Sequence, residues 1–551
     1  MIDDLTIELP LLYEEVFTPA EKTDKLSTGH EESTYSFEPL AKKIFLSLEK
    51  PSLDSSVADF ERIAHKLNVH VEIELNLLSV LEKVLRDAEW HITVTLADCG
   101  ICSKITKIES EDTTGKNYGI ALDIGTTTVV VYLVDLNNGK TLKAKASYNK
   151  QIAFGDDVIT RIMYAEDKDG LNRLCTAIKG TINNLINKIA AEENILLTDI
   201  NAVYCAGNTT MMHLFLNIPP CNIRKEPYIP VFNKCPVIKS RDTGLNINPE
   251  GIISCAPGVA SYVGGDITAG VLACGMDNYS TISLLVDLGT NGEIVLGNKD
   301  WMLCCACSAG PAFEGVGIKC GMHAVNGAIE RIELIENKSR VKYSTIDNMK
   351  PRGICGSGLL DIPAELLKNN VINRAGKFVP ENSSLVRKSD NNNEYEFVIV
   401  SPEESATGEK IVITESDIQN LMRSKGAVFL GIEILLKQVG LKFEDIEHIY
   451  VSGGFGTHID IEKAIIIGLF PDISRDKFSF IGNSSITGAK ICLLSRKARE
   501  RIEVIARKMT YIELSTDPLF MSEYTSTLFL PHTRLDLFPS VEKVLQYHAK
   551  G

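Results

Sequence analysis

No apolar run in this 551-residue chain reaches the roughly 18–20 residues needed to cross a bilayer. The longest, AIIIGLF and VFLGIEILL, are core-sized. The start, MIDDLTIELP, is acidic and lacks the apolar centre of a secretion signal, so a cytoplasmic protein without a membrane partner is expected. Basic residues are in deficit, with 57 Lys and Arg against 72 Asp and Glu and a net charge of −15. That excludes a broad nucleic-acid surface, which needs concentrated positive charge, but not a local cleft for a nucleotide. No G-x-x-x-x-G-K-[ST] loop is present, and none of the 10 histidines stands in H-E-x-x-H or another metal spacing. His213 and His323 are therefore read as structural. The 14 cysteines are scattered. Cys99 with Cys102 (ADCGICSK) and Cys304, Cys305 and Cys307 (LCCACSAG) form clusters, but neither has the second pair that a zinc or iron–sulfur site needs. They read as small buried thiols in a reducing, anaerobic setting.

With 44% hydrophobic and 23% charged residues, the composition is that of a globular protein of three or four domains. Residues 1–35, acidic and rich in Ser and Thr, read as a linker or tail. Residues 36–108 read as a small α/β unit: KKIFLSLEKPS and HITVTLADCG as strands, SSVADFERIAHKL and LNLLSVLEKVLRDAEW as helices. From Tyr118 onward strands and helices alternate with glycine turns after apolar runs, the pattern of α/β lobes. Two lobes are expected, at 118–280 and 281–500. The remaining residues, 501–551, form an extension whose MTYIELS and STLFLPH read as strands packing back on a lobe.

The lobes are drawn from a repeated pattern. ALDIGTTTVVVYLVDL (121–136) and LLVDLGTNGEIVL (284–296) each give a buried strand, an acid, a Gly–Thr turn and a second strand. Such a turn suits a triphosphate: Gly lets the backbone approach, N–H and hydroxyl groups donate to phosphate oxygens, and Asp holds Mg²⁺ through its water shell. Asp123 and Asp287 are the Mg²⁺ candidates, or else hairpin acids in Asx turns. Gly125, Thr126, Thr127 and Thr128, with Gly289, Thr290, Asn291 and Gly292, are the phosphate candidates. A third element, HIYVSGGFGTH (448–458), is a strand running into Gly453, Gly454 and Gly456, against which an adenosine can lie flat.

The ordered set DIGTTT, DLGTNGE, VSGGFG and GNSSITGA resembles the phosphate-1, phosphate-2, adenosine and connecting motifs of the superfamily of acetate and sugar kinases, heat-shock chaperones and actin. The wording between them is narrower. AGNTTMMHLFL, PYIPVF, APGVASYVGGDITAGVLA, SAGPAFEGVGI, GICGSGLLD and IGLFPD resemble the reductive activators of corrinoid proteins, and PLAKKIFLSLEKPSL with WHITVTL resembles that family's middle domain. The resemblance runs from about residue 36 to the end. It implies a two-lobed, actin-like and acetate-kinase-like α/β ATPase with duplicated sheets behind a small middle domain. It further implies ATP and Mg²⁺ as cofactors, a corrinoid protein of a methyltransferase system as partner, a homodimer, and ATP-driven reduction of Co(II) to Co(I). Many such activators carry an iron–sulfur ferredoxin domain, whereas here the first cysteine is Cys99. No cluster site is recognisable in this sequence, so the electron is expected from an iron–sulfur domain or protein outside it.

Within that reading Asp266 (VGGDITAG) is the candidate for orienting the attacking water or holding Mg²⁺, or else an N-cap. Glu314 (GPAFEG) is a second candidate for the same task. Asn208 either reaches the phosphates from a helix start or caps that helix. Lys425 either touches the nucleotide or sits on a solvated face. The nucleotide motifs alone also fit a metabolite kinase, or a nucleotide-gated binding module that hydrolyses nothing.

Overall fold

The computed structural model describes residues 6–8, 35–100, 102–335, 339–389, 394–453, 459–516 and 520–548. It divides into two compact units, Met1–Asn278 with Ser484–Lys508, and Tyr279–Asn483 with Met509–Gly551.

The first unit opens with a four-stranded sheet in the order Ala41–Ser47, His91–Asp98, Ser103–Ser110, Val71–Ile73. Helices Asp59–Leu67 and Leu75–Asp87 bury Ile63, Leu81 and Leu85 with Ile92, Val94 and Ile105 from the strands. Alternating burial along Ala41–Ser47 is the mark of a strand with one face on a core.

The larger sheet of this unit has seven strands, in the order Thr6–Glu8, Thr141–Tyr148, Thr128–Asp135, Tyr118–Ile124, Ile200–Gly207, Ile252–Cys255, Ile238–Lys239. Three residues of the segment expected to be a tail thus add an edge strand, antiparallel to Thr141–Tyr148. Tyr118–Ile124 and Ile200–Gly207 pair in parallel and are buried almost end to end, as strands covered on both faces are. The 23-residue helix Gly170–Glu192 packs its apolar stripe on this core.

In the second unit a six-stranded sheet runs Phe478–Gly482, His448–Ser452, Ser283–Leu288, Gly292–Gly297, Met302–Cys307, Met509–Tyr511. Its first three strands in sequence form an antiparallel meander, and the first of these pairs in parallel with a later strand, His448–Ser452. The seven-stranded sheet has the same plan, with Tyr118–Ile124, Thr128–Asp135 and Thr141–Tyr148 as the meander and Ile200–Gly207 as the later strand. The duplication read from two short motifs therefore extends to whole sheets. The helix Glu415–Gln438, started by a capping box of Thr414 and Asp417, lies on the thiol-bearing strand. A Cβ on its Gly431 would come within 2.4 Å of Cys307 Sγ.

Two expectations are corrected. The second lobe is not continuous to residue 500, because Ser484–Leu494 and Arg496–Lys508 pack into the first unit. There Gly488 meets the helix Gly265–Cys274 so closely that a Cβ would lie 2.1 Å from the Ala269 carbonyl. Of the two tail strands, Met509–Tyr511 forms, parallel to Met302–Cys307. STLFLPH does not, since its start closes the helix Phe520–Thr527 and the rest is irregular. Among the described residues no helix is long and apolar enough to cross a membrane.

Candidate functional site

In the first unit the hairpin turn is built by a glycine without room for a side chain. Gly125 N–H donates to the Thr128 carbonyl at 3.0 Å, and a Cβ there would stand 2.5 Å from that oxygen. Asp123 ends the preceding strand, buried, and its Oδ1 accepts from Ser485 Oγ at 2.8 Å. Thr126 is buried and its Oγ1 accepts from the Asn208 amide at 3.0 Å. The Thr127 carbonyl accepts from Asn149 N–H at 2.8 Å, and Thr128 starts the second strand.

Asn208 is the N-cap of the helix Thr209–Phe215, its Oδ1 accepting from Met211 N–H at 2.9 Å. The side chain thus spends its oxygen on the cap and its amide on Thr126, locking helix start to hairpin. Gly264 closes on the same place, where a Cβ would lie 2.5 Å from Asn208 Cα. This glycine, not Asp266, is the N-cap of Gly265–Cys274, and it offers no side chain to the helix start. Asp266 stands in the first turn, partly exposed, its Oδ1 accepting from Ile267 N–H at 2.9 Å. A 10-residue helix with a glycine cap suits an anion at its positive end.

The second unit repeats the arrangement with different chemistry. Asp287 ends its strand and accepts through Oδ2 from Ser452 Oγ at 2.7 Å. Gly289 N–H donates to the Asn291 carbonyl at 3.0 Å, and the nearest atom to a Cβ on Gly289 would be Glu314 Oε1 at 3.7 Å. Thr290 Oγ1 donates to the Glu314 carboxylate, 3.2 Å from Oε1 and 3.3 Å from Oε2. Gly292 opens the next strand. Gly453 has φ 112°, and its Cβ would lie 2.1 Å from the Leu288 carbonyl, so only glycine fits. Gly454 and Gly456 lie outside the described residues.

Within each unit, then, the candidates come together: Asp123, Gly125–Thr128, Asn208 and the helix start of Asp266 in one, and Asp287, Gly289–Gly292, Glu314 and Gly453 in the other. The carboxylates and the side-chain-free glycine positions are a donor set that suits a hydrated Mg²⁺ and phosphates. No group of three or more His, Cys, Asp or Glu among the described residues is placed to hold a metal directly.

Lys425 is neither a nucleotide contact nor part of a solvated face. It is fully buried, and its ammonium donates to the carbonyls of Phe529 and Pro531; burial pushes its pKa well below the usual lysine range. His213 is structural as expected. Its Nδ1 donates to the Thr209 carbonyl at 2.7 Å, its Nε2 accepts from Val231 N–H at 3.1 Å, and burial lowers its pKa. Cys304, Cys305 and Cys307 are buried thiols, with burial pushing Cys304 up to about 12, the opposite of a reactive cysteine.

Sequence reasoning missed Ser485 and Ser452, although both lie in quoted motifs, because a serine at a helix start or a strand end carries no signal of its partner. It also missed Arg161, fully buried beneath the first hairpin, whose guanidinium donates to the Thr126 carbonyl at 2.7 Å and the Gly155 carbonyl at 2.8 Å. Burial lowers its pKa to about 10. A lone Arg on the apolar helix VITRIMYA was the available clue.

Three family models match the chain in order: the linker region of RACo at residues 30–115, its middle region at 118–279, and its C-terminal ASKHA domain at 281–542. The unit at 36–108, likened above to the family's middle domain, is thus matched by the linker model. The corrinoid activation enzyme RamQ of Eubacterium limosum is 38% identical over 421 residues, covering 75% of this chain and 70% of the relative. The [Co(II) methylated amine-specific corrinoid protein] reductase of Methanosarcina barkeri is 25% identical over 445 residues, covering 75% and 76%. Among solved structures, a reductive activator for corrinoid, iron-sulfur protein superposes with a TM-score of 0.87 at 46% identity, over 94% of this chain and 83% of that one. The chain belongs to the RACo family, the reductive activators of corrinoid proteins.

Proposed function

We propose that the chain is an Mg-ATP-dependent activator that returns a corrinoid protein of a methyltransferase system from Co(II) to Co(I). The observation that carries this reading is the paired Asp–Gly–Thr hairpin, present once in each unit and each time with its aspartate held by a serine hydroxyl. The family supplies the corrinoid partner. In this reading Asp123 and Asp287 hold Mg²⁺ through water, the two turns grip phosphates, Gly453 borders the nucleoside, and Asp266 and Glu314 orient water. The electron comes from an iron–sulfur donor, and the active form is a homodimer in the cytoplasm.

Reducing Co(II) corrinoid is uphill for ordinary donors, so nucleotide must shift a conformational equilibrium in the activator–partner complex. It can do so only through different affinities for the two states. The test is ATP turnover by the chain with and without a purified Co(II) corrinoid protein. Stimulation by that protein is expected. Turnover that responds instead to a saturable small acceptor would overturn the reading in favour of a kinase.

A further inference from the structure

Three carbonyls of the first turn are occupied from one neighbouring segment. The Gly125 carbonyl accepts from the Asn149 side-chain amide at 3.0 Å, that of Thr126 from Arg161 Nη1 at 2.7 Å, and that of Thr127 from Asn149 N–H at 2.8 Å. A trans peptide carries its N–H opposite its C=O. The N–H groups of Thr126, Thr127 and Thr128 are thereby turned away from Asn149 and Arg161, as consecutive N–H groups are in an anion-binding nest. The segment behind them is fixed. Asn149 and Arg161 are fully buried, Arg161 Nε donates to the Gly155 carbonyl at 2.8 Å, and a Cβ on Gly155 would lie 2.5 Å from Thr160 Oγ1.

Arg161 differs from its neighbours in carrying a charge. Its hydrogen bonds reach only neutral groups: two carbonyls, Gln151 Oε1 at 3.4 Å and Met211 Sδ at 3.5 Å. Its Nη2 has no hydrogen-bond partner among the described residues. Two carboxylates act on it from farther off: Asp157, whose Oδ1 accepts from Thr160 N–H at 2.8 Å, and the exposed Asp156. Even with its pKa lowered to about 10 by burial, the guanidinium is charged at neutral pH. A buried cation with no anion in contact is costly. An anion seated on the other side of the turn offsets that cost.

We propose that Arg161 is a positioning residue for the phosphates at the first hairpin, supplying positive charge through the Thr126–Thr127 peptide. A charged donor on the Thr126 carbonyl polarises that peptide and strengthens its N–H as a donor to phosphate. This role rests on the phosphate reading proposed above and adds to it the source of the turn's charge.

The test measures binding of Mg-ATP and of magnesium tripolyphosphate, by calorimetry, to the native chain and three variants whose folding is checked by circular dichroism. Arg161→Gln removes the charge but keeps an amide donor, and Arg161→Lys keeps the charge. Gln151→Glu leaves Arg161 in place and sets a carboxylate beside its guanidinium, without touching a turn carbonyl. Arg161→Gln and Gln151→Glu should each bind both ligands about tenfold more weakly, because each cancels the buried charge near the anion. Arg161→Lys should stay within about threefold of the native chain, having lost only the fork geometry. Native affinity in folded Gln151→Glu, or a loss in Arg161→Lys equal to that in the neutralised variants, would overturn the role. If Arg161→Gln does not fold, the contrast between Gln151→Glu and Arg161→Lys still decides it. A native chain that binds neither ligand would remove the phosphate reading and this role with it. Native binding with unmoved variants would remove this role alone.

Discussion

The two hairpins are alike in backbone and unlike in surroundings. Each ends a buried strand with an aspartate that accepts from a serine, and each turns through Gly–Thr. In the first unit, however, the serine comes from the helix Ser484–Leu494, and the turn is backed by a neutral amide and a buried guanidinium (Asn208 and Arg161). In the second, the serine stands directly opposite on the neighbouring parallel strand, and the turn threonine faces a carboxylate. The two units share the Asp–Gly–Thr hairpin, while the residues around it differ, giving a closely packed, cation-backed setting in one unit and a carboxylate-faced one in the other. Glu314 is therefore the better candidate for acting on water, and the first hairpin for holding.

The largest effects should come from glycines without room. Gly453→Ala places a Cβ at left-handed φ against a carbonyl and should cost about 3 kcal/mol or more of stability. Gly125→Ala should cost about 2 kcal/mol by the same crowding. Its counterpart Gly289→Ala, with nothing nearer than 3.7 Å, should stay within about 0.5 kcal/mol. Urea unfolding of the three variants measures this, and equal costs for Gly125 and Gly289 would erase the contrast drawn between the turns.

Next come the charges. Glu314→Gln should lower ATP turnover by about 100-fold or more while changing Mg-ATP affinity little, as loss of a water-orienting group does. A loss confined to affinity would make Glu314 a binding residue instead. Ser485→Ala and Ser452→Ala should each cost about 1 kcal/mol, the worth of one hydrogen bond, and raise the Kd for Mg-ATP several-fold. A silent Ser485→Ala beside a damaging Ser452→Ala would break the equivalence of the hairpins.

The smallest effect is on pH dependence. His213 in the first unit and His532 in the second both have pKa values lowered by burial, His532 to about 4. A histidine whose folded pKa lies below its unfolded value of about 6.5 leaves the unfolded chain binding more protons between the two. Stability is therefore full above about pH 6.5 and is lost as pH falls toward 4. His532→Gln should flatten that acid slope, and an unchanged slope would show that His532 titrates normally.

Much of this was legible because the two Asp–Gly–Thr turns are local: strand, acid, glycine and hydroxyl lie within six residues, and backbone geometry comes from them. The illegible part is long-range. Ser484–Leu494 (SSITGAKICLL) has no distinct apolar stripe, so nothing in its periodicity says that it packs on the first unit's sheet. Lys425 looked like a surface lysine because helix periodicity cannot reveal the carbonyls of Phe529 and Pro531 that solvate it a hundred residues away. The candidate N-cap at Asp266 fell to a plainer rule, since glycine two residues earlier let the helix start approach Asn208.

The most direct test of the nucleotide grip is the affinity for Mg-ATP of the native chain, Asp123→Asn and Asp287→Asn, measured by calorimetry with and without Mg²⁺. If both hairpins hold the hydrated cation, each variant should bind Mg-ATP at least about tenfold more weakly, a loss of about 1.4 kcal/mol, and the difference should vanish when Mg²⁺ is removed. An Asp287→Asn chain that binds as the native one does would contradict the claim that the second hairpin is a nucleotide grip at all.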